Sequence, residues 1–255
     1  MQVQLSLSFL TALLLTSVRV VAWLIVVPPF NSRSVPMRVK ALLSVAMALP
    51  ITPNVLDQVP ATSGGGLISA TAQQVVVGTG LGFVTALFFS AVQSAGAIID
   101  IFGGFSMASM YDPLSGAQNA VFGRFYNVVA TALLFATDGY AMILRGFANS
   151  FKGLPLTDTI SLDRLAKLLT EGADQMLVAA VQIAGPLVAV LFITDVGLGL
   201  LTRVAPQLNV FNIAFPLKIA ITIGLAGTAI TLLPRAFDFL VDRAVRVVLQ
   251  VIGAG

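Results

Sequence analysis

The chain has 255 residues, 57% of them hydrophobic and only 10% charged, against roughly 25% charged in ordinary soluble domains. Water is therefore not the main solvent of its surface, and the composition is that of a membrane protein. A net charge of +3 with no basic run excludes a nucleic-acid footprint. The lack of Cys and His excludes disulfides, thiolate chemistry, the usual zinc sites and any Ser–His or Cys–His arrangement.

Residues 3–27 form an apolar run, roughly 37 Å as a helix, long enough to cross a hydrocarbon core with some tilt. Its first basic residue, Arg19, lies well inside the run and no small-x-small site follows Val27, so the segment is read as retained, not as a secretory leader. A lone Arg19 costs roughly 2.5–3.5 kcal/mol in lipid, so it faces protein, a wet cavity or the interface; snorkelling at the helix end is the alternative. Pro28-Pro29-Phe30 stops the helix, and the Asn31–Lys40 loop, with Arg33, Arg38 and Lys40 and no acid, reads as cytoplasmic. Residues 39–49, about eleven apolar positions before Pro50 and Pro53, are too short to span and are expected as a buried or re-entrant helix, followed by a polar loop over 51–66.

Residues 67–99 carry no charge and, at roughly 50 Å as a helix, overshoot a bilayer. Gly78 and Gly82 stand at GxxxG spacing, which predicts close helix packing through the missing side chains, with a hinge as the alternative. Over 100–118, Gly103-Gly104 breaks the helix and Asp112-Pro113 has turn chemistry. Between these breaks lie Phe102, Phe105, Met107, Met110 and Tyr111, either a satellite core cluster under a loop or a soft gasket able to close around variable shapes.

The next apolar run, 120–147, holds Arg124, Asp138 and Arg145; Asp138 and Arg145 share a helix face, and pairing of opposite charges is expected. Residues 149–174 are the most soluble-looking stretch and predict an amphipathic interfacial helix. Two apolar helices follow, 177–202 and 210–233, joined by a turn holding Pro206, Gln207 and Asn209, with kinks expected at Gly185-Pro186 and Pro216. Asp195 and Lys218 lie about eleven residues before and after the turn, so antiparallel helices bring them to one height, where each can neutralise the other; a partner subunit for Lys218 is the alternative. Residues 235–246 are amphipathic. Strict alternation across the membrane does not close over these spans, and the basic residues sit in nearly every later connection.

Arg203, Pro206, Gln207, Asn209, Phe211, Pro216 and Lys218 at this spacing resemble the signature of the FliR family, the flagellar export-gate proteins, and of their injectisome relatives. Arg19 with Pro28-Pro29-Phe30, and Gly104-Phe105-Ser106 with Asp112-Pro113 and Ser115-Gly116, are similar to further family segments. One departure is Asp138-Gly139-Tyr140-Ala141, where the family often has histidine, which argues against a proton relay there. The resemblance implies an all-α membrane protein of bent helical hairpins assembling into a hetero-oligomeric helical export gate. It implies a FliP-like front part (1–172) and a FliQ-like final hairpin with a C-terminal amphipathic helix (173–255), within one membrane-embedded unit. The implied role is a non-enzymatic channel subunit without cofactor, which assembles with FliP and FliQ, works with FlhA and FlhB, and passes unfolded flagellar substrates. The implied place is the bacterial inner membrane at the flagellar basal body, with much of the fold displaced toward the periplasm. The implied plug comprises Phe102, Gly103, Gly104, Phe105, Met107, Met110, Tyr111, Asp112 and Pro113. Subunit packing is assigned to Gly78, Gly82, Pro206, Gln207, Asn209, Phe211 and Pro216, and the buried charges are Arg19, Asp138, Asp195 and Lys218. The alternatives are an injectisome gate subunit and a stand-alone secondary transporter using those charges, although no internal repeat is visible.

Overall fold

Residues 7–26 contain neither glycine nor proline and form one helix, α1 (Leu7–Val26), which stops just before Pro28. The computed structural model describes residues 7–59, 64–106, 120–157, 162–207 and 209–251. After α1 come α2 (Met37–Ile51), a 3-10 turn (Thr52–Gln58), α3 (Gly64–Phe102), α4 (Val121–Ala136), α5 (Gly139–Gly153), α6 (Leu162–Val204) and α7 (Val210–Val251). Among the described residues there is no strand. Leu7–Val26, Met37–Gln58, Gly65–Phe102 and Leu165–Val204 are long and apolar enough to cross a membrane, and the broken pair α4–α5 is a fifth if counted as one span. The protein is an all-α membrane protein.

Three elements differ from the sequence reading. The short helix over 39–49 does not stop at its prolines: Pro50 sits inside α2 and Pro53 opens the 3-10 turn, giving 22 continuous residues from Met37 to Gln58. A proline near a helix end removes one backbone bond and still fits a tightened last turn. The expected interfacial helix over 149–174 is not separate from the final hairpin, because α6 runs 43 residues with Pro186 inside it, and α7 runs 42 residues through Pro216 and Pro234. The apolar run 120–147 is the opposite case: it breaks at Thr137–Asp138, where Asp138 adopts φ 54° in the left-handed region that Asp and Asn tolerate better than other side chains. Asp138 is therefore an exposed turn residue, not a buried charge within a helix, and Arg145 on α5 is exposed as well.

The chain folds into two compact units, Met1–Phe88 with Asp138–Ala173 and Val241–Gly255, and Phe89–Thr137 with Asp174–Leu240. In the first, α1 packs on α2 and the 3-10 turn and, beside Gly78 and Gly82, on α3. Its buried positions Thr11, Ala12, Leu15, Thr16, Arg19 and Trp23 recur at helical spacing, while Leu7, Leu10, Leu14 and Ile25 are exposed. Thr11, Thr16 and Arg19 inside with Leu7, Leu10, Leu14 and Ile25 outside is the pattern of a helix whose surroundings are apolar. Trp23 stacks on Phe147 of α5 with centroids 4.6 Å apart, and Phe147 meets Phe151 edge-on. In the second unit, the end of α3 packs on α4: a side chain on Gly96 would strike the Phe122 carbonyl, and Asn127 Nδ2 donates to Gln93 Oε1 at 3.1 Å. Phe89 on α3 meets Phe237 on α7 edge-on at 5.9 Å.

Candidate functional site

Gly78 and Gly82 are buried, and both face α1 of the same chain. A Cβ on Gly82 would lie 3.0 Å from the Trp23 carbonyl oxygen and 3.0 Å from Val26 Cβ; on Gly78 it would press into the Arg19 carbonyl and Ala22. The close approach read from GxxxG spacing is present, but within the chain, so the subunit-packing role assigned to these two glycines is taken by an intramolecular contact.

That approach seats Arg19, whose side chain is fully buried. Its Nε donates to Gln74 Oε1 at 2.6 Å and its Nη2 to the Leu154 carbonyl at 2.9 Å, with a longer contact of 3.4 Å from Nη1 to the Ser150 carbonyl. Its guanidinium also lies 4.2 Å from the Phe151 ring centroid. Ser150 and Leu154 are the last turn and the cap of α5, where unsatisfied carbonyls concentrate partial negative charge. A helix C-terminus, not a carboxylate, thus compensates the buried charge. Gln74 extends the network, its Nε2 donating to the Leu156 carbonyl at 3.0 Å, and the Leu156 N–H donates to Gln58 Oε1 at 3.3 Å. Arg19 was legible as an anomaly; Gln74 was not singled out, although a buried amide in an apolar run is the same kind of signal.

In the second unit Asp100 plays the opposite part. Buried at the end of α3, it accepts from the Phe122 and Gly123 N–H groups at 3.0 Å each, one per carboxylate oxygen, and so caps the N-terminus of α4 from outside that helix. Three residues on, Gly103 N donates to the Ile99 carbonyl at 2.7 Å and Gly104 turns the chain with φ +85°. A side chain on Gly103 would meet Thr222 Oγ1 at 2.8 Å, and one on Gly104 would meet Phe215 at 3.2 Å, so α7 sits directly on this turn. Phe105 packs edge-on against Phe122 at 5.2 Å, whereas Phe102 keeps about a third of its surface exposed (36%). The remaining expected plug residues, Met107, Met110, Tyr111, Asp112 and Pro113, lie outside the described residues.

On the hairpin, Lys218 Nζ lies 2.6 Å from Asp195 Oδ1, with Lys218 mostly covered and Asp195 half exposed. The turn residues Pro206, Gln207 and Asn209 are exposed, as is Pro216. The side chain of Phe211 is outside the described set.

Comparison with known proteins assigns the family. The model of the family "Bacterial export proteins, family 1" matches residues 10–244. The chain belongs to this family, the FliR family. Among its curated members, the flagellar biosynthetic protein FliR of Pectobacterium carotovorum is 30% identical over 234 residues, covering 88% of this chain and 89% of the relative. FliR of Bacillus subtilis is 31% identical over 83% of each chain. The Yop proteins translocation protein T of Yersinia pestis is 29% identical over 61% of this chain and 60% of its own length. FliR-family membership therefore spans both units, and Arg19, Asp100 and the Asp195–Lys218 pair all fall within the matched residues.

Proposed function

We propose that this chain is a structural channel subunit of a flagellar type III protein export gate in the bacterial inner membrane. It assembles with FliP and FliQ subunits, works beside FlhA and FlhB, and passes unfolded flagellar substrates without catalysing a reaction itself. The observation that carries this reading is the near end-to-end likeness to flagellar FliR proteins, 88% of this chain in one case, against 61% for the translocation protein T. The same comparison favours the flagellar over the injectisome system. The division into a FliP-like 1–172 and a FliQ-like 173–255, the placement at the basal body and the displacement toward the periplasm are part of the same proposal.

In this reading the segment from Phe102 to Pro113 seals the resting channel, starting from the Gly103–Gly104 turn beside Thr222 and Phe215. The charges need no substrate path to explain them, since Arg19 is bonded to backbone carbonyls and Asp195 to Lys218. The test is purification of the tagged chain from membranes that express FliP and FliQ. Co-elution of all three as one particle is expected; a stable monomer that never co-elutes, yet restores export, rejects the gate assignment. For the seal, Phe102→Ala with Phe105→Ala should leave the particle intact but admit small ions through the resting membrane. Unchanged conductance with intact assembly rejects the plug.

A further inference from the structure

Within the first unit, α5 packs on α1 by one face and leaves another open. Phe147 stacks on Trp23, while Ser150 and Leu154, further along α5, bond Arg19, which precedes Trp23 in α1. The two helices therefore run antiparallel. α1 has 20 residues, about 30 Å, the thickness of a hydrocarbon core. Arg19 lies about 4 Å past the midpoint of α1 and its side chain leans back toward the helix N-terminus, so the α5 turn that it bonds stands close to mid-depth. Ile143, Phe147 and Phe151 fill the packed face of α5. Its other face carries Arg145, Asn149 and Lys152 at i, i+4 and i+7, all exposed. Elsewhere the same unit exposes Leu10, Leu14 and Ile25 on α1 and Leu42, Val45 and Leu49 on α2. One unit thus presents two surfaces made for different surroundings.

We propose that the Arg145–Asn149–Lys152 face of α5 lines the water-filled path by which unfolded polypeptide crosses the export gate, an assignment that rests on the gate reading. Depth excludes lipid as its surroundings. A lysine stem reaches about 6 Å, whereas the interface lies roughly 15 Å from mid-depth, and a cation left in hydrocarbon costs roughly 2.5–3.5 kcal/mol. A buried protein contact is the poorer occupant too, because the ammonium is strongly hydrated and lysine is depleted from protein interfaces. Water satisfies both Lys152 and the Asn149 amide without a fixed partner. Arg145 and Lys152 stand about 10 Å apart along the helix, and the exposed residues between them are the small Ala148 and the polar Asn149. Such a wall offers charge and hydrogen bonds but little apolar grip, which lets unfolded chains of varied sequence move past without sticking.

The chain has no cysteine, so a single introduced thiol reports its own surroundings. Asn149→Cys, Lys152→Cys and a depth-matched control on the apolar surface, Leu14→Cys, are each made in the full chain and expressed with FliP and FliQ. Membranes holding the assembled particle are treated on both sides with a charged methanethiosulfonate, which attacks thiolate in water and not thiol in hydrocarbon, and the mass shift of the tagged chain is followed in time. Asn149→Cys and Lys152→Cys should react at least about tenfold faster than Leu14→Cys. An export substrate fused to a domain that resists unfolding, and so stalled in transit, should protect both thiols. Rates equal to that of Leu14→Cys in an intact particle overturn the lining and leave the gate reading standing, as does fast labelling that the stalled substrate leaves unchanged. Failure of the wild-type chain to form the particle overturns the gate reading and the lining with it.

Discussion

Replacing Arg19 by methionine tests whether the first unit depends on a charge held by a helix end. The substitution keeps length and apolar bulk, and it frees the protein from desolvating a guanidinium. It also strips the donor from Gln74 Oε1 and from the Leu154 carbonyl, bonds of 2.6 and 2.9 Å, and removes the cation from the Phe151 face. A buried charged group is often dispensable when both partners are replaced by apolar ones, but here one partner is backbone and cannot be replaced. Gln74 cannot swing away to compensate, because its Nε2 is engaged with the Leu156 carbonyl. At about 1–3 kcal/mol for each buried acceptor left unpaired, plus loss of the ring contact, the net destabilisation is about 3–5 kcal/mol. Arg19→Lys, which keeps the charge but not the fork, should lose about half of that. The chain's single tryptophan, Trp23, lies one turn from Arg19 and stacks on Phe147, so its fluorescence reports this unit directly. Unfolding in detergent by heat or by added SDS should show Arg19→Met melting first, Arg19→Lys next and wild type last. A wild-type midpoint for Arg19→Met would refute the reasoning and leave Arg19 as a bystander.

Gly78→Ala should part α1 from α3 and destabilise by about 1–3 kcal/mol, since the new methyl meets backbone that cannot yield. Gly65→Ala, with nothing within 4 Å of its Cβ, is the control expected at wild-type stability in the same melt. Asp100→Ala should leave the Phe122 and Gly123 amides without acceptors and cost about 2 kcal/mol; hydrogen exchange at those two amides should quicken, and unchanged protection would show that the carboxylate is not what caps α4. Asp195→Lys and Lys218→Asp should each impair protein export and the double exchange should restore part of it, because the 2.6 Å pair is reformed with its charges reversed. A double variant no better than the worse single one counts against the pair as the working contact.

Composition and hydrophobic run lengths were sufficient for a helical membrane protein, because in lipid every backbone polar group must be satisfied within its own segment and only long apolar helices or closed barrels achieve that. Local chemistry also placed the break at Gly103-Gly104, where only glycine accepts φ +85° without strain, and the spacing of Asp195 and Lys218 about the Pro206 turn gave their common height. What sequence left open was which surface meets which. The glycines at 78 and 82 advertise a close approach but not its partner, and only the fold shows that α1 fills it. Helix ends were misread for a related reason: Pro50 reads as a stop, yet α2 runs through it, whereas Asp138, with no proline near it, marks a real break. Arg19 and Asp100 make the point most directly. A charge in an apolar run announces that it must be compensated, but the compensating groups are backbone carbonyls 131 and 135 residues away and backbone amides 22 and 23 residues away. Every residue type carries such groups, so no letter of the sequence distinguishes them; only tertiary structure brings a particular helix end to a particular charge.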